Sequence, residues 1–321
     1  MTARELKTSA SRRAAAQGVP LPSWNDGPAK QAILGFVASV TAEGGPGFVP
    51  AEDRVAVFDN DGTLWAEQPA YTQALFALDE VRRLAPAHPE WSGSEPWDSV
   101  LSGDPKRIAA LSKDDLVTVF GVATTGMTVD EYAANVAAWV GAATHPVLKL
   151  PIAGTVYQPQ LELLDYLEAN GFATWIVSGG GVDFMRVFAE DAYGIPPERI
   201  IGSATAVEFR DIDGAPTLVK LPELGIYNDK EAKPVNIYQS IGKRPVLACG
   251  NSDGDRQMLE YTAAGDGSRL MILVHHDDAA REFAYDREGH VGRLDAAWDE
   301  AVARGWTVVS MKDDWATIFP G

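Results

Sequence analysis

In the stretch VFDNDGTLW, residues 57–65, Asp59 and Asp61 stand two apart directly after a run of apolar residues. On an extended segment, side chains at i and i+2 point the same way, so the two carboxylates share one face. Their repulsion is tolerable if a divalent cation sits between them or if one keeps its proton. Gly62 lets the backbone turn closely around a ligand, and Thr63 offers a hydroxyl and an amide to an anion. Ser178 heads a glycine run beginning at Gly179, at an expected helix N-terminus, which is a natural anion cradle. Lys233, just before Pro234, can set an ammonium on that anion; Lys230 is the alternative, and the Lys-Pro context favours Lys233. Asn251, Asp253 and Asp255 add oxygen ligands for a hard cation such as magnesium. Carboxylate nucleophile, acid/base partner, cation and charge-neutralising lysine together describe metal-assisted phosphoryl transfer. Taken alone, Asp-Asn-Asp-Gly reads equally well as a surface turn. The elements around it decide.

Residues 54–58 (RVAVF) form a short β-rich run that reads as a buried strand. Between residues 66 and 150 the periodicity is helical throughout, which predicts an insert of roughly four helices. Strand and helix then alternate. Residues 172–177 (FATWIV), 245–249 (PVLAC) and 269–274 (RLMILV) read as strands, each leading into a polar or glycine-rich loop and a helix. A hairpin is expected around Asp211-Ile-Asp-Gly214. This alternation argues for an α/β fold with a doubly wound parallel sheet, in which ligands bind beyond the carboxyl ends of the strands. Asp59 and Asp61, Ser178, and residues 251–255 all fall at such ends. That coincidence favours a site over a turn. The expected organisation is a leader over residues 1–30, frayed in solution, a core over 31–65 and 151–321, and a helical cap over 66–150.

The net charge of −18 argues against a nucleic-acid partner and against anionic membrane surfaces, both of which require basic patches. No segment approaches the roughly 18 apolar residues needed to cross a bilayer. The leader has basic residues but no apolar stretch after Arg12-Arg13, so it does not read as an export signal. With one cysteine, Cys249, no intrachain disulfide is possible. A cytoplasmic location is the default expectation.

Asp59-Asn-Asp61-Gly-Thr63, Ser178, Lys233 and Gly250-Asn-Ser-Asp-Gly-Asp255, in that order, resemble the four motifs of the haloacid dehalogenase superfamily. The resemblance covers about residues 50–65 and 155–275. The position of the helical insert is similar to the cap of phosphoserine phosphatases and cytosolic pyrimidine 5′-nucleotidases. The resemblance implies a Rossmann-like core and an Mg²⁺-dependent phosphatase that hydrolyses a small phosphate monoester. Asp59 would attack phosphorus and carry an aspartyl-phosphate. Asp61 would protonate the leaving oxygen and then activate water, with its backbone carbonyl on the metal. Gly62, Thr63, Ser178, Gly179 and Lys233 would hold the phosphate. The metal would rest on Asp59, Asp61, Asn251 and Asp255, with Asp253 possible. Asn251 departs from the family pattern, in which aspartate is commoner; an amide oxygen binds magnesium without contributing charge.

The true dehalogenases of the superfamily lack an acid at the second aspartate, because halide leaves unprotonated. Asp61 therefore points to phosphate esters. A phosphomutase or phosphotransferase of the same superfamily, or a non-catalytic phosphate-binding module, are the alternatives. Trp65, Glu67, Gln68, Tyr71 and Arg186 are candidate substrate-facing groups. The position where phosphoserine phosphatases carry a substrate-amine-binding glutamate aligns with Gln68, so serine phosphate is not supported. His275-His276 follows a strand and reads as a polar strand-end loop rather than a metal site, since adjacent residues on an extended chain point opposite ways. The expected partner is a small-molecule phosphate ester. The sequence is silent on oligomeric state.

Overall fold

A computed structural model describes residues 19–321. Its strands are β1 (Val55–Phe58), β2 (Ala173–Gly181), β3 (Ile200–Ile212), β4 (Ala215–Ile226), β5 (Leu247–Gly250), β6 (Leu270–Asp277), β7 (Ala284–Tyr285) and β8 (Thr307–Ser310). They form an eight-stranded sheet in the order β4-β3-β2-β1-β5-β6-β7, with β8 paired to β6. The pairs β1/β2, β1/β5, β2/β3, β5/β6 and β6/β8 are parallel; β3/β4 and β6/β7 are antiparallel. Every residue of β1 and β5 is buried, as expected of central parallel strands covered by helices on both faces. The chain leaves β1 towards β2 on one side and returns to β5 on the other. The carboxyl end of β1 is thus a topological switch point, where doubly wound sheets open a crevice.

The insert between β1 and β2 holds five helices, Thr72–Leu84, Trp97–Ser102, Pro105–Ala109, Lys113–Thr124 and Val129–Ala142. The sequence pattern predicts roughly four. Ser112 with Asp115, and Thr128 with Glu131, each satisfy the amides of a helix start reciprocally. Phe76, Val119, Tyr132 and Val136 of the insert pack into the same apolar cluster as Phe184 and Ile176 of the sheet layer. Backbone hydrogen bonds from Gly126 to the Lys220 carbonyl (3.0 Å) and from Lys220 to the Met127 carbonyl (2.9 Å) pin the insert to β4.

Three sequence expectations are corrected. Residues 1–18 of the expected frayed leader lie outside the described residues, but residues 19–30 are docked. Leu21 and Trp24 are buried, Trp24 Nε1 donates to the Pro159 carbonyl (2.9 Å), and Ser23 bonds the Glu162 carboxylate through its amide and its hydroxyl. A tryptophan in a polar segment is the signal that it packs somewhere. Secondly, β2 does not stop at Val177; it continues through the glycines to Gly181, opposite Ser203, with a register shift between Val177 and Gly181. Ser178 therefore sits in a bulged strand and not at a helix N-terminus. Thirdly, His275 and His276 belong to β6 itself rather than to a loop after it.

Candidate active site

At the carboxyl end of β1, with Phe58 in register with Ile176 of β2 and Cys249 of β5, the chain delivers Asp59 beneath the insert. A cavity of about 390 Å³ opens there. Asp59, Asp61, Glu67, Ser178, Asp229 and Lys233 are among its lining residues. Lys233, from the helix Ala232–Ile241, is 2% exposed and donates to Asp59 Oδ1 (2.7 Å) and Asp255 Oδ1 (2.6 Å). Asp61 Oδ1 accepts from Trp65 Nε1 at 2.8 Å. Its Oδ2 and Ser178 Oγ both face Gly180, each 3.4 Å from where a Cβ on that glycine would stand. One oxygen of the acid is thus held by Trp65, and the carboxyl lines the cavity.

Asp59, Asp61, Ser178, Gly179, Lys233, Glu67 and Tyr71 are brought together around the cavity. The others are not. Thr63 is fully buried, its hydroxyl donating to Asn251 Oδ1 (3.0 Å) and its amide to the Asn60 carbonyl (3.2 Å), so neither group is offered to an anion. Asp255 spends Oδ1 on Lys233 and Oδ2 on the amides of Asn251 and Ser252, both at 3.0 Å. Asp253 Oδ1 accepts the amides of Asp295 and Ala297 (2.9 Å each) at the start of the helix Ala296–Arg304. Asn251 is buried, with Oδ1 on Thr63 and Nδ2 donating to Glu67 Oε1 (2.7 Å). Of the groups expected at the metal, Asn251, Asp255 and the possible Asp253 bond to protein partners and do not line the cavity.

Trp65 is buried and stacked on Phe188 at 4.5 Å between centroids, so it positions Asp61 rather than facing a substrate. Gln68 donates to the Val291 carbonyl (3.0 Å), and Arg186 to the Pro197 carbonyl (3.1 Å) on the outer surface. Neither lines the cavity.

Gly62 is reserved for this turn. Its φ of +74° lies in the left-handed region, and a Cβ there would overlap Asn251 Nδ2 and the Glu67 carboxylate. Its carbonyl accepts from His276 Nε2 (2.8 Å), and His276 Nδ1 lies 3.2 Å from Glu282 Oε2. Gly62→Ala is expected to destabilise the fold by about 2 kcal/mol or more, from positive φ plus overlap. Chemical denaturation measures this, and wild-type stability in that variant would contradict the seat described.

Several contributors escaped the sequence reading. Gln73, on the first helix of the insert, takes the Gly181 amide on its Oε1 (2.8 Å) and joins insert to β2. Asp229 comes to the cavity from the loop after the hairpin, next to Gly254. His276 and Tyr285 arrive from β6 and β7. The only available signal was strand alternation, which turns His276 inward and leaves His275 half-buried.

The electrostatics follow from one ammonium among many carboxylates. Burial, and next the neighbouring Asp255, push the Asp59 carboxyl up to about 8 although Lys233 pulls the other way. Burial alone would lower Lys233, but Asp255 and Asp59 together more than reverse that and keep it charged. These two shifts agree once it is seen that one positive charge is divided between two acids. Asp61 is raised by burial to about 6, with the Trp65 hydrogen bond and Lys233 opposing. That suits a group that must give and take a proton near neutrality. Burial also holds Glu67 well above the usual range.

Among the described residues no three acidic, histidine or cysteine side chains are gathered into a ready-made metal cluster. Magnesium asks for less: one or two carboxylates, with water and substrate phosphate filling its octahedron. Asp59, Asp61, Glu67 and Asp229 face the cavity against the single ammonium of Lys233. An all-oxygen donor set with excess negative charge fits a hard divalent cation. A second cavity of about 190 Å³ shares Gln73, Phe120 and Gly179 with the first and is lined by Tyr132 and by Lys220, which is paired with Asp183.

No curated protein sequence matches the chain. Among solved structures, a protein of unknown function from Bordetella pertussis Tohama I aligns at 16% identity over 80% of this chain and 97% of its own, with a TM-score of 0.51. A functionally unknown protein from Anaerococcus prevotii DSM 20548 aligns at 15% identity over 77% and 85%, with a TM-score of 0.50. These likenesses concern the fold alone. The sequence profile of the haloacid dehalogenase-like hydrolases matches residues 56–260, which span every motif named above and more than half of the chain. With that match on top of the sheet order and the placement of Asp59 at its switch point, the chain belongs to the haloacid dehalogenase-like hydrolases.

Proposed function

We propose that this hydrolase is a phosphatase that cleaves a small phosphate monoester through an aspartyl-phosphate on Asp59. One observation carries the reading: beside Asp59 a second acid, Asp61, lines the same cavity with one oxygen fixed by Trp65. A leaving halide needs no proton, whereas a leaving alkoxide does, and Asp61 is the group placed to give it.

Asp59 attacks phosphorus along the cavity while Lys233 holds its other oxygen. The P–O bond to the alcohol breaks, and the departing oxygen takes the Asp61 proton. Asp61, now ionised, accepts a proton from the water that attacks phosphorus, and the P–O bond to Asp59 breaks to release inorganic phosphate. Ester and water become alcohol and phosphate, and both aspartates return to their first state. Ser178 and Gly179 flank the phosphoryl oxygens. Asp59 and Asp61 would hold Mg²⁺, which when bound neutralises phosphoryl charge. Residues 66–150 act as the cap, closing the cavity with Phe120 and Gln73, and Tyr71 faces the leaving group's side. The small cavity volume selects small esters. Among the described residues no helix is long and apolar enough to cross a membrane, and we place the enzyme in the cytoplasm, where the buried Cys249 stays reduced.

A panel of phosphate esters, assayed with Mg²⁺ and with EDTA, tests the reading. Phosphate release that needs Mg²⁺ and no acceptor is expected. Transfer only to a second substrate would make the protein a phosphotransferase or mutase, and binding without turnover would make it a phosphate-binding module.

A further inference from the structure

We propose that Glu67 supplies the metal's second side-chain carboxylate in this chain, and that Asn251, at the position the motif reserves for it, is a positioning residue that aims Glu67. This rests on the metal-dependent phosphatase reading and adds which residues hold the cation.

Three observations carry it. Every side chain of the 251–255 loop that resembles a ligand is already committed, Asn251 to Thr63 and Glu67, Asp253 to a helix start, and Asp255 to Lys233 and two amides. None of the three lines the cavity. Glu67 does. It is 2% exposed and lines the cavity; its Oε1 accepts from Asn251 Nδ2 (2.7 Å) and Tyr285 Oη (2.8 Å), while its Oε2 accepts no hydrogen bond among the described residues.

The carboxylate also has a built seat. A Cβ on Gly62 or on Gly292, two glycines from distant parts of the chain and both at positive φ, would overlap it. No lysine, arginine or histidine pairs with it among the described residues, unlike Asp59 and Asp255, which share Lys233. A buried carboxylate that meets only donors to one oxygen, beside two further aspartates, is stable when a cation joins the other oxygen. Chemically, the pair conserves charge. One carboxylate and one amide stand where the motif pattern implies a carboxylate, with their chain positions exchanged, and the hydrogen bond between them keeps the carboxylate directed at Gly62 and the Asp61 turn. Neutral oxygen and charged oxygen are both acceptable to Mg²⁺, but the charged one dominates affinity.

The test uses the full chain without substrate and reads Mn²⁺ binding by electron paramagnetic resonance. Wild type is expected to bind. Glu67→Gln, which keeps the shape, is expected to bind at least about tenfold more weakly. The exchanged pair, Glu67→Gln with Asn251→Asp, is expected to recover most of that loss, which a merely structural role for Glu67 does not explain. Wild-type affinity in Glu67→Gln overturns the assignment, as does an exchanged pair no better than the single variant. Failure of wild type to bind Mn²⁺ overturns the metal-dependent reading along with it, so the two failures are distinguishable. Should Glu67→Gln not fold, Asn251→Asp alone faces two carboxylates across the same contact. Its Mn²⁺-induced rise in melting temperature is then expected to exceed that of wild type, and an equal rise overturns the assignment.

Discussion

Asp59→Asn is expected to lower turnover of any accepted phosphate ester by at least about a thousandfold, equivalent to about 4 kcal/mol of transition-state stabilisation. An amide oxygen cannot form the acyl-phosphate, Asp61 is held by Trp65, and neither Glu67 nor Asp229 is paired with Lys233 as Asp59 is. The fold should survive, and stability should stay level or rise. Burial and Asp255 already oppose ionisation of Asp59, and the amide can still accept from Lys233. Loss of activity with retained or improved stability is the pattern of a site that gives up stability for function. Parallel kinetics and thermal unfolding read both halves.

Lys233→Met is expected to have the opposite stability sign. It leaves Asp59 and Asp255, both buried, without the one ammonium that spans them. Removing one partner from a buried ion pair costs about 3–5 kcal/mol, because the orphaned charge has no solvent to retreat to. For a chain of this size the melting temperature should fall by about 4–8 °C. Turnover should disappear as well. Adding Asp255→Asn to Lys233→Met removes one of the stranded charges and should recover part of the stability without recovering activity, a non-additivity expected of groups in direct contact. A Lys233→Met variant as stable as wild type would mean that the two acids are protonated in the resting protein and that the lysine is not their counter-charge.

The four motifs were legible because each is local. Asp59 and Asp61 follow β1, Lys233 stands before a proline, and the 250–255 run follows β5, so periodicity and turn chemistry placed them at the right ends of the right strands. The sheet was legible for the same reason: β1 and β5 are apolar at every position. What escaped is the set of contacts that span the chain. Glu67 meets Tyr285, 218 residues away, and Gly62 meets His276, 214 residues away. No window of sequence carries those pairings. Ser178 was placed correctly at the cavity but for the wrong reason, because glycines that read as a loop still complete a strand when β3 lies alongside. Trp65 shows the complementary error. An aromatic next to the motif invites a substrate-stacking role, yet its indole nitrogen is committed to Asp61 and its ring to Phe188. The amide partners of Asn251, Thr63 and Glu67, likewise lie in another part of the chain.

The phosphoenzyme itself tests the central claim most directly. An Asp61→Asn variant with Mg²⁺, given an aryl phosphate whose phenolate leaves without a proton, can form the intermediate but has no base to activate water against it. Acid quenching followed by peptide mapping should find one phosphoryl group on the peptide that carries Asp59. Phosphate on any other residue, or a burst of phenol with no protein-bound phosphate at any time, would contradict the account.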